Sequence, residues 1–118
     1  MQSIDLLVHP RHLVPVEPGH VVLDATARLM LPGLINAHTH AAMSLLRGLA
    51  DDLPLMDWLN QHIWPAEAAH VSPAFCADGV DLAMAEMIKS GTTCFNDMYF
   101  HPDVTAQRVD KAGMAAVV

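Results

Sequence analysis

Apolar positions recur along this chain with two different periods, and the alternation between them predicts most of its elements. Residues 4–8, IDLLV, and 13–16, LVPV, are short β-like runs parted by His9-Pro10-Arg11. Pro15 confines the second run to a sheet edge, because proline has no N–H to give to a ladder. After Glu17-Pro18-Gly19, residues 21–23 and 28–31 read as extended, and Pro32-Gly33 interrupts them. Leu34-Ile35-Asn36-Ala37 then has the brief apolar character of a buried parallel strand. Residues 41–62 read as helix in pieces, broken at Gly48 and Pro54, with Leu53, Leu55, Trp58, Leu59 and Ile63 on an apolar face. Such irregularity also suits a long loop over a pocket.

The clearest helix covers residues 72–89. Ser72 is placed to cap it, Pro73 fits the first turn, and Gly91 follows its end. Val80, Met84, Met87 and Ile88 recur at helical spacing, so that face packs inward and the methionines belong to a core. Thr92-Thr93-Cys94-Phe95-Asn96 is β-branched and aromatic and reads as a second buried strand ending at Asp97. Residues 103–112 form a further helix ending near Gly113, and a third strand begins at Met114. Strand, helix, strand, helix, strand is the order that gives parallel βαβ units with right-handed crossovers, an α/β class.

Composition narrows this picture. The chain has 118 residues, against the ~250 that an eight-stranded α/β barrel usually needs. Hydrophobic residues are 53% and charged residues 16%, which suits a chain with a buried core and not a disordered one. Six basic against thirteen acidic residues give a formal charge of -7, which argues against nucleic acid or an anionic membrane as partner. Cys76 and Cys94 form no C-x-x-C pair and read as small buried hydrophobes in a reducing compartment. No basic leader and no apolar run of ~20 residues is evident, so the sequence reads as soluble and cytoplasmic.

The candidate chemistry lies at the end of the first buried strand. Side chains two apart in a strand point the same way, so His38 and His40 can aim both imidazoles at one ion while Thr39 faces away. An H-x-H triplet is common by chance in a histidine-rich chain; its place at the C-terminal end of a barrel-type strand, where such folds assemble their sites, gives it weight. His9, His12, His20, His62, His70 and His101 lack a matched spacing and read as ordinary histidines. Asp97 reads as a structural hydrogen-bonding group, Asp51 and Asp52 as a solvated turn, and Arg47 as either a loop anchor or a surface cation.

The segments PGLINAHTHAAMSLLRGLADDLPLMDWL, HIWPAE and GTTCFNDMYF occur in this order, and with them residues 29–118 resemble the amidohydrolase superfamily, in particular its 5'-methylthioadenosine/S-adenosylhomocysteine deaminases. The resemblance implies the N-terminal part of a (β/α)8 TIM-type barrel, about three strands over residues 31–118. Residues 1–30 would then be an incomplete segment of a small β-sandwich. It implies one divalent metal, zinc or else iron or another ion, held by His38 and His40 together with a later histidine and aspartate. In that family the metal acidifies a water, and the resulting hydroxide displaces ammonia from the purine carbon bearing the amino group. The glutamate and histidine that move the protons belong to later strands, so no catalytic residue is assigned among residues 1–118. Glu67, which alone would read as a solvated helix-end carboxylate, matches the family position that accepts hydrogen bonds from ribose hydroxyls. Trp58 either lies against the adenine or alkylthio group of the substrate or is a core tryptophan.

The sequence departs from the family pattern in lacking the hairpin that normally precedes the PGLINAHTH segment, so the sandwich is expected to be incomplete. A partial barrel leaves strand edges unpaired, so the remainder of the barrel or a second copy is expected as a partner, and a homo-oligomer is allowed. Residues 1–118 by themselves are expected to have no deaminase activity. The competing readings are a hydrolase acting on another ring, such as guanine or a chlorinated triazine, and a truncated relic or small protein that binds metal without catalysis. Two histidines alone make an open site, since structural zinc wants four ligands.

Overall fold

The computed structural model describes residues 31–118. The β-like runs expected within residues 4–23 and the proposed sandwich segment lie outside the described residues. Three parallel strands form the frame: β1 (Leu34–Thr39), β2 (Thr92–Asp97) and β3 (Ala115–Val117), in the order β1-β2-β3. β1 pairs with β2 from Leu34 opposite Thr92 to Thr39 opposite Asp97, with register shifts between Leu34 and Ile35 and between Asn36 and Thr39 that cancel, so both strands end at the same level. Four α-helices lie on the connections: α1 (Leu55–Trp58), α2 (Trp64–His70), α3 (Pro73–Ser90) and α4 (Pro102–Ala112). The expected alternation is present, and the sheet is parallel as expected.

The irregular stretch after β1 resolves into distinct pieces. Ala41–Leu46 is a 3₁₀ helix, Gly48 takes a left-handed conformation, and Pro54 precedes α1. A π-helical turn at Leu59–Ile63 joins α1 to α2, so residues 55–70 form one helical run with a bulge in it. Such bulges re-aim side chains. Here the bulge buries Ile63 while Leu55 stays 65% exposed. The apolar face expected along 53–63 therefore divides into a buried part and a solvent-facing part.

α3 starts and stops where its sequence signals place it. The Ser72 hydroxyl accepts from the Phe75 amide at 3.2 Å, satisfying one of the free N–H groups of the first turn. Gly91 closes the helix at φ 86°, a left-handed position that glycine takes without strain. Its inward face is Cys76, Gly79, Val80, Ala83 and Met84, which pack with Ala41, Ala42, Phe95 and Val109 into one core. Full burial of Phe95 is worth roughly 1.5–3 kcal/mol by area. Ile88 departs from the expected inward stripe and is 57% exposed, outside the buried face of α3, which runs from Cys76 to Met84.

Gly79 is the residue that lets α3 approach the segment following β1. A Cβ there would come within 2.5 Å of the Ala42 carbonyl oxygen and 2.7 Å of its Cα. Two ion pairs tie the outer surface: Arg47 grips Glu86 with bonds of 2.9 and 2.6 Å, and Arg108 of α4 pairs with Asp81 of α3. β1 was expected to be buried, yet Leu34 is 61% and Ile35 73% exposed, since among the described residues nothing pairs with its outer edge or covers those side chains.

Candidate active site

The functional groups collect where β1 and β2 end. At the end of β1 Thr39 is buried while its neighbours His38 and His40 are exposed. The two imidazoles lie edge to face, with ring centroids 5.1 Å apart and planes at 70°. The expected divergence of Thr39 from the histidine pair is thus present.

The end of β2 and the residue after it fix this strand end by five contacts. Thr39 Oγ1 donates toward Asp97 Oδ1 at 2.9 Å, with the Asn96 carbonyl also within reach at 3.1 Å. The Ala41 amide donates to the same Asp97 oxygen at 2.8 Å, and the Met98 amide donates to the Thr39 carbonyl at 3.1 Å. Asn96 Nδ2 donates to the Ala37 carbonyl at 3.1 Å. Asp97, 6% exposed, is therefore the structural acceptor that the sequence suggested. Its charge, after burial itself, pushes the neighbouring Cys76 thiol above the ordinary range, which keeps that buried sulfur an unreactive thiol.

His40 is oriented by a contact that no spacing rule reveals. Its Nδ1 lies 2.7 Å from the Met98 carbonyl oxygen, an acceptor only, so Nδ1 is the donor in this contact and Nε2 is the ring nitrogen left to face an ion. Metal-binding histidines are typically held this way, one ring nitrogen donating to a backbone carbonyl while the other faces the ion. The donor set thus fits two ligands of a divalent ion. Among the described residues no cluster of three or more His, Cys, Asp or Glu completes a cage.

Beside His40 opens a cavity of about 520 Å³, walled by α1, the π turn, α2 and the residues after β2. Trp58 and Glu67, the two residues singled out for substrate, both line it with His40. Trp58 is half-buried, and its indole Nε1 donates to the Leu49 carbonyl at 3.0 Å, which satisfies the ring's polar atom within the chain. Glu67 is half-buried and receives a hydrogen bond on Oε1 from the Tyr99 hydroxyl at 2.8 Å. Arg47 proves to be an anchor: it clamps the chain leaving the 3₁₀ helix to α3. Tyr99 and the Met98 carbonyl were given no role by sequence reasoning. The available signal was a polar-tipped aromatic placed two residues beyond a strand end.

A parallel sheet with helical crossovers and a histidine pair at a strand's C-terminal end is the arrangement found at the active-site face of α/β barrels. The sequence profile of the amidohydrolase family matches residues 29–118, and the chain belongs to that family. It is 60% identical over 96 residues to a 5-methylthioadenosine/S-adenosylhomocysteine deaminase of Saccharophagus degradans, covering 81% of this chain and 22% of the relative. It is 55% identical over 105 residues to a 5'-deoxyadenosine deaminase of Methanothermobacter thermautotrophicus, covering 87% of this chain and 24% of the relative. An adenosine deaminase of Xanthomonas campestris, crystallised with bound zinc, superposes with a TM-score of 0.71 at 61% identity over 72% of this chain and 19% of that one. The chain thus spans about a fifth to a quarter of the length of these relatives, and its three strands are part of their (β/α)8 barrel.

Proposed function

We propose that the protein carrying this segment is a zinc-dependent hydrolase that deaminates adenosine-type nucleosides, with S-adenosylhomocysteine and 5'-methylthioadenosine as the substrate class. The observation that carries the reading is the His38–His40 pair, 5.1 Å apart at the strand end, with His40 already committed through Nδ1 to the Met98 carbonyl and lining the same cavity as Glu67. In this reading His38 and His40 are two of the metal's ligands. Zinc, when bound there, acidifies water enough to supply a nucleophile near neutral pH. Glu67 accepts hydrogen bonds from the ribose hydroxyls, and Trp58 with the neighbouring apolar wall packs against the nucleoside. The deaminases named above support the purine nucleoside over other rings, and the zinc in the Xanthomonas campestris structure supports that metal over iron.

The bare edge of β1, with Leu34 and Ile35, is proposed to be covered by further barrel strands, in keeping with the greater length of the relatives. Residence in the cytoplasm is part of the same proposal and agrees with Cys76 and Cys94 as free thiols. Among the described residues no helix is long and apolar enough to cross a membrane.

Zinc content and ammonia release from the two nucleosides, measured on the purified protein and on His38→Ala and His40→Ala, test the reading. Both variants should lose most of their zinc and their activity. Full zinc content in either variant refutes the ligand assignment, and a zinc-loaded protein that releases ammonia from guanine but from no adenosine-type nucleoside refutes the substrate class.

A further inference from the structure

Tyr99 occupies a position between the two halves of the proposed site. It follows β2 directly after the Met98 carbonyl that holds His40, and its ring lies 5.9 Å from the His40 ring and 5.0 Å from that of Phe100, edge to face with the latter. From there its hydroxyl reaches Glu67 Oε1 at 2.8 Å, a bond from the end of the sheet to a separate helix, α2. The ring is half-buried, and both packing partners limit how far it can turn. A phenol donates one hydrogen bond and a carboxylate has about four acceptor sites, so this bond immobilises Glu67 without exhausting it. Among the described residues nothing else bonds to this carboxylate, which leaves acceptor sites, Oε2 included, for ligand hydroxyls.

We infer that Tyr99 is the positioning residue that fixes the Glu67 carboxylate relative to His40, and so sets the enzyme's preference for a ribose carrying both hydroxyls. The inference rests on the reading of Glu67 as the sugar acceptor. Without the phenol, a glutamate side chain with three rotatable bonds must be ordered by the substrate itself, and that entropy comes out of binding. Burial first, and then the bond and charge of Glu67, raise the Tyr99 hydroxyl above the ordinary phenol range, so it remains a donor throughout the working pH range. Tyr99 touches neither the reacting purine carbon nor the metal in this reading, so its removal should weaken ground-state binding and leave the chemical step in place.

The test compares KM and kcat for 5'-methylthioadenosine with those for its 2'-deoxy and 3'-deoxy analogues, in the protein as expressed from its gene and in Tyr99→Phe and Glu67→Gln. Tyr99→Phe should raise KM for the ribosyl substrate about three- to tenfold, the range for one lost hydrogen bond, with kcat within about twofold. It should raise KM for the deoxy analogues much less, so that discrimination between sugars narrows. Unchanged discrimination, or an equal rise for all three substrates, overturns the inference. If Glu67→Gln leaves discrimination intact, the reading of Glu67 fails and the role of Tyr99 falls with it; if Glu67→Gln loses discrimination and Tyr99→Phe does not, only the role of Tyr99 falls. Should Tyr99→Phe not fold, Tyr99→His, which keeps a ring donor, is compared with Tyr99→Leu. Discrimination kept in the first and lost in the second supports the inference, and equal behaviour overturns it.

Discussion

Removing the Asp97 carboxylate tests whether the end of β2 holds the histidine strand in place. One oxygen, Oδ1, takes the Thr39 hydroxyl at 2.9 Å and the Ala41 amide at 2.8 Å, and Ala41 is only 3% exposed. In Asp97→Ala the Thr39 hydroxyl can turn to the Asn96 carbonyl, 3.1 Å away, so its loss is small. The Ala41 amide gives up a charge-assisted bond worth about 1.5–3 kcal/mol and is left desolvated at a further cost of about 1–3 kcal/mol. These overlap, and a net loss on the order of 2–4 kcal/mol follows, a large share of the ~5–15 kcal/mol that stabilises a typical domain. Asp97→Asn keeps an acceptor oxygen without the charge and should lose about half as much. Urea unfolding followed by circular dichroism gives the stabilities, and chelator competition gives zinc affinity. Both should rank wild type, Asn, Ala, with zinc binding about 10–100-fold weaker in Asp97→Ala, as for other groups that orient metal ligands. Wild-type zinc affinity in a destabilised Asp97→Ala would refute the positioning argument while leaving the packing argument intact.

Two further substitutions probe the supports of the same corner. Gly79→Ala should lower stability by about 1–2 kcal/mol although alanine favours helix by about 1 kcal/mol, because its Cβ would stand 2.5 Å from the Ala42 oxygen and backbone must move. A melting temperature equal to or above wild type would show that α3 and the 41–46 segment separate freely. The Arg47 hydrogen bond holds the Glu86 carboxyl below the ordinary glutamate range. A depressed folded-state value contributes stability above the unfolded value of about 4.3 and loses it as pH falls through the folded value. The melting-temperature gap between wild type and Glu86→Gln should therefore be present at pH 7, shrink progressively as pH falls below the unfolded value, and narrow in high salt; a gap that widens as pH falls would contradict this.

Most of the frame was legible because its signals are local. Ser72, Pro73 and Gly91 bracket α3, and the β-branched run after Gly91 forms β2, each by rules that act within a few residues. His38 and His40 were legible because strand periodicity is strict. What periodicity does not carry is who lies opposite. The buried face of α3 ends at Met84 although helical spacing would carry it on to Ile88, and the division of the 53–63 face depends on a π turn that no residue type announces. The Tyr99–Glu67 bond joins residues 32 apart in the chain, and the His40–Met98 contact joins residues 58 apart. Neither distance is encoded in any window that pattern reading uses.

The segment after β2 matters as much as the histidines themselves. An H-x-H at a strand end supplies two rings but not their orientation, and a free imidazole rotates about two side-chain bonds. Here Asp97 bonds to the chain on both sides of His40 through Thr39 and Ala41, the Met98 carbonyl accepts from the His40 ring, and the Tyr99 hydroxyl donates to Glu67. Three consecutive residues thus set three different coordinates of one site, each through a different group: a carboxylate, a backbone carbonyl and a phenol. Inserting or deleting one residue there would flip the pleat, exchange the inward and outward positions, and undo all three together. The strand end Asn96-Asp97-Met98-Tyr99 therefore constrains the histidine pair as strictly as the pair's own spacing does.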